Sequence, residues 1–143
     1  MITALNYAAS DTDYKQVHIL NEHVGSKVGG DVGELTETIT LKTLMYFQNV
    51  LGDDLALKLD CEGSEFDILM TVDKDTIRKF AVIYMELHGN THLNPEYKDV
   101  MVVENKLVEF GFSKVKQGEM VHFNGPDTPP NGLGIFVQKW VRV

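Results

Sequence analysis

Apolar side chains return at every second position in some stretches of this chain and at every third or fourth in others. A period of two marks a half-buried strand, and a period near 3.6 marks an amphipathic helix. Ile2 to Ser10 reads as a short apolar strand that runs into Ser10-Asp11-Thr12-Asp13, a cluster of turn-forming side chains. Tyr14 to Leu20 alternates weakly through Val17 and Ile19, and Glu34 to Thr40 through Leu35 and Ile39, so both predict strands. Between them, Gly25 to Gly33 holds four glycines in nine positions, which predicts a loop.

From Leu41 to Leu51 the period lengthens. Leu41, Leu44, Met45, Phe47 and Leu51 share a helical stripe, with Gly52 as the stop. Leu55 to Asp60 alternates again and predicts a strand. Ser64 with Asp67 has the form of a capping box, followed by Phe66, Leu69 and Met70 at helical spacing. The helical pattern restarts at Asp73 or Asp75 and carries Ile77 and Phe80. Ala81 to Leu87 is an apolar run broken only by Glu86, as in a central strand buried on both faces. Asn94-Pro95 opens a helix whose stripe is Tyr97, Val100, Met101, Leu107 and Val108, ended by Gly111. Phe112 to Lys116, Met120 to Asn124 and Ile135 to Val141 predict further strands, with Gly125 to Gly134 a loop. Strands alternating with helices and ending in strands predict a layered α/β fold.

The chain has 143 residues, the size of one domain, and 43% of them are hydrophobic. That composition excludes a disordered tail, a collagen-like rod and a solenoid. No apolar run reaches the roughly 20 residues of a membrane span, and the start lacks the layout of a signal peptide. Thirteen basic and twenty-one acidic residues leave a net charge of −8. This argues against nucleic acid or an anionic membrane as partner, since neutralising phosphates takes clustered Lys and Arg. The single cysteine, Cys61, fits a reducing, cytoplasmic compartment.

Ligands of open α/β sheets sit beyond the carboxyl ends of the strands. The first strand ends at Ala9-Ser10-Asp11, the middle one at Asp60-Cys61-Glu62-Gly63-Ser64-Glu65, and the next at Glu86-Leu87-His88. If the last two are parallel neighbours, Asp60, Glu62, Glu86 and His88 converge on one edge. Gly63 allows a tight turn or a close backbone approach. Each has a plainer alternative. Asp60 and Glu62 would also suit the N-terminus of the following helix, where anions are favoured. Glu86 would also serve as partner of Arg78 or Lys58, since an unpaired buried carboxylate is costly. His88 and His92 flank a loop rather than share a helix face, so they do not read as a metal pair. Gly25-Ser26-Lys27 and Gly29-Gly30 lack the spacing of a phosphate-binding loop. Cys61, between two acids, should have a raised pKa and be a poor nucleophile.

Lys58 to Leu69, KLDCEGSEFDIL, resembles the most recognisable segment of the FkbM-type methyltransferases: Lys-x-Asp-x-Glu-Gly, then a helix with Glu, a hydrophobic residue and Leu. Asn6 to Asp11, Thr40-Leu41, Tyr84 to His88, Gly111-Phe112 and Ile135 to Val137 resemble further segments of that family, in the same order. Lys42 stands where the family usually has Asp. The resemblance implies a partial Rossmann-like sheet, with mostly parallel core strands and antiparallel terminal strands. It implies S-adenosylmethionine as cofactor, with Ser10 and Asp11 at the adenine and Asp60 and Gly63 also on the cofactor. A small-molecule or sugar hydroxyl would be the methyl acceptor. Asp60 would orient cofactor or acceptor. Glu62, Glu86 and His88 are the candidates for the base, and the sequence does not rank them.

The resemblance also implies one domain over residues 1–143, starting at the family's third core strand and so N-terminally incomplete. Such a chain would bind S-adenosylmethionine poorly. The rival expectation is a non-catalytic remnant that folds and self-associates as a homo-oligomer through an unpaired edge and an uncovered apolar face. A third is a metal-dependent hydrolase built on Asp60, Glu62, Glu86 and His88.

Overall fold

The structure, a computed structural model, describes residues 7–22, 25–28, 33–49, 52–61, 63–88, 100–117 and 135–143. Their elements are β1 (Ala8–Ala9), β2 (Gln16–Glu22), β3 (Gly25–Val28), β4 (Glu34–Ile39), α1 (Leu41–Phe47) and β5 (Leu55–Leu59). After them come α2 (Glu65–Thr71), α3 (Lys74–Ile77), β6 (Phe80–His88), α4 (Val100–Glu109), β7 (Phe112–Gln117) and β8 (Ile135–Arg142). The strands form two four-stranded sheets, ordered β1-β4-β2-β3 and β5-β6-β8-β7.

The fold is mixed α/β, but its sheets are mainly antiparallel rather than mostly parallel. Among the described strands, only β1–β4 and β5–β6 pair in parallel. The other pairings, β2–β3, β2–β4, β6–β8 and β7–β8, are antiparallel. Connection length accounts for this: β2 and β3 are joined too closely for anything but a hairpin, whereas β5 and β6 are separated by the α2–α3 crossover a parallel pair needs. The terminal strands β7 and β8 are antiparallel, as expected.

Several boundaries differ from the sequence pattern. Gly25–Val28 is not loop but the strand β3, held by main-chain pairing that its glycine does not prevent. Helix α1 stops at Phe47 rather than Leu51, because Asn49 takes a left-handed φ of 48° and ends the helix before Gly52 can. The predicted strand Met120–Asn124, the loop Gly125–Gly134 and the helix start Asn94-Pro95 lie outside the described residues.

The core lies on one face of the second sheet. Leu57, Leu59, Ile83, Met85, Leu87 and Trp140 meet Phe66, Ile68 and Leu69 of α2 and Val103 and Leu107 of α4. Strand β6 buries Ile83, Met85 and Leu87 on this face. On the other, Tyr84 is 46% exposed, and Lys58 beside it in the register and Val137 opposite Glu86 are exposed too. An apolar run within a sheet does not require two covered faces when the outer residues are Val, Tyr and Glu.

The stripe of α4 is also rotated from its sequence reading. Val103 and Leu107 are buried, whereas Met101 and Val108 are 65% and 60% exposed. Polar ties help set this rotation. Buried Trp140 donates its indole N–H to Gln138 at 2.8 Å, and Gln138 donates to Glu104 of α4 at 2.6 Å. Glu104 also accepts from Lys114 of β7 at 2.7 Å. Gly111, at φ 86°, lets the chain turn from α4 into β7 where any Cβ would strike the Arg78 guanidinium, which donates to the Phe110 carbonyl at 2.9 Å.

Leu107→Ala should lower the unfolding free energy by about 2–5 kcal/mol. Val108→Ala, one residue away on the exposed face, should change it by no more than about 0.5 kcal/mol. Urea unfolding curves check both, and equal losses would contradict this rotation of α4.

Candidate active site

Strands β5 and β6 run parallel with Leu59 opposite Met85, so both chains reach the same sheet edge together. Asp60 follows β5 immediately, while Glu86 and His88 are the closing residues of β6. Asp60 is exposed, Glu86 half-buried and His88 buried. One ligand-type atom from each of these side chains lies within 4.8 Å of the others. The structure thus brings together Asp60, Glu86 and His88, as the sequence led one to expect. Glu62 and His92 lie outside the described residues.

The turn between β5 and α2 is held by a residue the sequence reading passed over. Glu65 is fully buried, and its carboxylate accepts the Cys61 N–H at 2.5 Å and the Gly63 N–H at 2.9 Å. The same carboxylate lies 3.0 Å from Nδ1 of His88. Gly63 occupies the turn at φ 109°, a backbone region that favours glycine. The predicted Ser64–Asp67 capping box does not form. Ser64 already has helical angles (φ −76°, ψ −9°) and makes no side-chain cap, since capping needs an extended residue there. Glu65 satisfies the turn instead. The signal was present in KLDCEGSEFDIL, where Glu follows the glycine turn, but nothing in spacing alone says that this Glu points inward.

Charges at the edge are partly matched. Lys58 donates to Asp60 at 2.8 Å, and this hydrogen bond, backed by the charges of Asp60 and Glu86, raises the lysine's pKa. Arg78 is committed to the Phe110 carbonyl, so it is Lys58 that feels the charge of Glu86. The Cys61 thiol is pushed up as expected, though chiefly by burial and only secondarily by nearby carboxylates. Imidazole and carboxylate are also a donor set that a divalent cation accepts, which is the ground of the hydrolase expectation.

Ser10 and Asp11 stand elsewhere. They follow β1, where the Ser10 N–H donates to the Ile39 carbonyl at 3.0 Å and its hydroxyl to Asp11 at 3.1 Å. With Asp13, Thr40, Lys42, Thr71, Val72 and Asp73 they line a cleft of about 230 Å³. Thr71 closes α2, so this cleft lies at the opposite end of that helix from Gly63 and Glu65. Lys42 pairs with Asp73 at 3.7 Å.

Two parallel strands joined by a helical crossover, with Asp60 just past one and Glu86 and His88 closing the other, define an α/β protein. Its polar cluster stands at the carboxyl ends of its strands, where such folds hold their ligands. Residues 2–113 match the methyltransferase FkbM domain, and the chain belongs to that family. No curated protein and no solved structure matches it. The described residues contain no helix long and apolar enough to cross a membrane.

The cleft depends on Asp13. Half-buried, its carboxylate accepts the Thr40 N–H at 2.7 Å and the Thr43 hydroxyl at 2.7 Å, joining the turn after β1 to the start of α1. Burial works to raise its pKa, but the hydrogen bonds from Thr40 and Thr43 together outweigh it and hold the carboxyl below its usual range. A lowered folded-state pKa stabilises above the unfolded value of about 4 and is lost as pH falls through the folded value. Asp13→Asn should therefore cost about 1 kcal/mol at neutral pH, allowing for solvent screening. That deficit should shrink as pH falls below about 4. Denaturation at a series of pH values checks it, and a deficit that stays constant into acid would contradict this role.

Proposed function

We propose that this chain is an S-adenosylmethionine-dependent methyltransferase domain acting on a hydroxyl of a small molecule or sugar. The observation that carries the reading is the meeting of Asp60, Glu86 and His88 at the carboxyl ends of parallel strands, inside a segment matched by the family. The parallel β5–β6 pair with its crossover supports a Rossmann-like half-sheet. The lone cysteine supports a cytoplasmic setting.

The residues fit the cofactor. An edge bearing Asp60 and Glu86 suits a positively charged sulfonium, and Ser10 and Asp11 offer the polar groups an adenine needs. When bound, the cofactor would supply a methyl group whose bond to sulfur breaks, its electron pair staying on sulfur, as the acceptor oxygen bonds to carbon. Asp60 orients cofactor or acceptor at the strand end. Gly63 admits the ligand close to the backbone. A base at the same edge takes the hydroxyl proton. Positioning carries much of the acceleration, because such a displacement needs its reacting atoms in line.

The exposed outer face of the second sheet, with Tyr84 and Val137, favours the non-catalytic, self-associating alternative. The two readings part on cofactor binding. Calorimetric titration with S-adenosylmethionine should show a one-to-one complex weaker than micromolar. The described polar groups meet it in only two places, each contact worth about 1 kcal/mol net. Asp60→Ala should weaken that complex about tenfold with the circular dichroism unchanged. Absence of binding, or an affinity indifferent to Asp60, would sink the methyltransferase reading.

A further inference from the structure

We propose that Glu65 is a positioning residue, which holds His88 as the Nδ1–H tautomer and so makes Nε2 the ring's proton acceptor at the strand ends. Glu65 Oε1 accepts the Cys61 N–H and meets His88 Nδ1, and Oε2 accepts the Gly63 N–H. An ionised carboxylate only accepts, so it satisfies all of these groups when the imidazole donates from Nδ1. A protonated Glu65 would have to set its own hydrogen beside a main-chain N–H already aimed at the same carboxyl. Both side chains are almost fully buried, 0% exposed for Glu65 and 4% for His88, so a mismatched donor there would be costly.

The neutral ring then carries its remaining lone pair on Nε2. Among the described residues, the titratable groups around the ring are Glu65 from α2, Asp60 beyond β5 and Glu86 on β6, with Lys58 reaching the cluster through Asp60. Carboxylates on these sides favour an imidazolium once a proton arrives. This distinguishes His88 from Glu86, which has no comparable buried partner among the described hydrogen bonds. On the methyltransferase reading, on which this consequence rests, the hydroxyl proton goes to Nε2. With cofactor and acceptor bound, His88 would hold that proton as an imidazolium whose Nδ1–H stays on Glu65. The main-chain N–H groups of the glycine turn thus orient the base through one carboxylate.

The test reads the tautomer directly and needs neither cofactor nor acceptor. The full chain is labelled with ¹⁵N-histidine, and ring nitrogen–proton correlations are recorded where imidazole is neutral. His88→Asn, which keeps a donor near the Nδ1 position, assigns the signal. His88 should be in the Nδ1–H form by about tenfold or more, the preference one charge-assisted hydrogen bond confers. Glu65→Gln, whose amide must turn its NH₂ towards one of the three donors, should collapse that preference or invert it. An Nε2–H tautomer in the wild type overturns the proposal, as does a preference unchanged in a folded Glu65→Gln. If Glu65→Gln fails to fold by circular dichroism, the wild-type spectrum decides alone. Titration of the same wild-type sample with S-adenosylmethionine reports separately. A correct tautomer without cofactor binding would refute the methyltransferase reading and leave Glu65 in its role, and the reverse result would do the opposite.

Discussion

The second sheet's working edge depends on one buried carboxylate. Glu65 takes two main-chain N–H groups from the turn that follows β5 and meets the last residue of β6. It therefore fixes the end of one strand, the start of α2 and the end of the neighbouring strand at a single point. A buried charge survives only where donors surround it, and the turn supplies them because Gly63 can take a positive φ. Asp60 and His88 owe their proximity to that turn as much as to the strand register.

Around this point the architecture is one-sided. Helices α2 and α4 cover one face of the second sheet, while the face bearing Tyr84 and Val137 remains open. The covered face holds its polar members by pairing them in sequence, Trp140 to Gln138 to Glu104 to Lys114. Such a chain lets a fully buried Gln138 tie α4 to β8 without an unmet group. Lys106 of α4, its pKa lowered by burial, completes the layer by donating to the Met70 carbonyl near the end of α2.

The two polar places that the family resemblance assigns to one cofactor stand at opposite ends of α2. Asp60, Glu86 and His88 gather near its start, and Ser10 and Asp11 line a cleft with Thr71, Val72 and Asp73 at its finish. Asp13 braces that cleft through Thr40 and Thr43, so the smaller sheet contributes its position as well as its residues. Helix α2 is seven residues long, so at about 1.5 Å per residue its two ends stand roughly 10 Å apart.

Local chemistry along the chain was enough to determine β5, a helical restart at Asp73 or Asp75 that the structure resolves as α3 capped by Asp73, the apolar strand β6 and the family-like Lys58 to Leu69 segment. Period, capping residues and a compact motif are properties of neighbours in sequence, and they survive folding. Tertiary structure decided the rest. It rotated α4 so that Val103 rather than Val108 is buried, turned Gly25–Val28 into a paired strand, and left one face of β6 open. It also aimed Glu65 inward at His88, which lies 23 residues away in sequence. Burial and pairing depend on what arrives from distant parts of the chain, and no local pattern records that arrival.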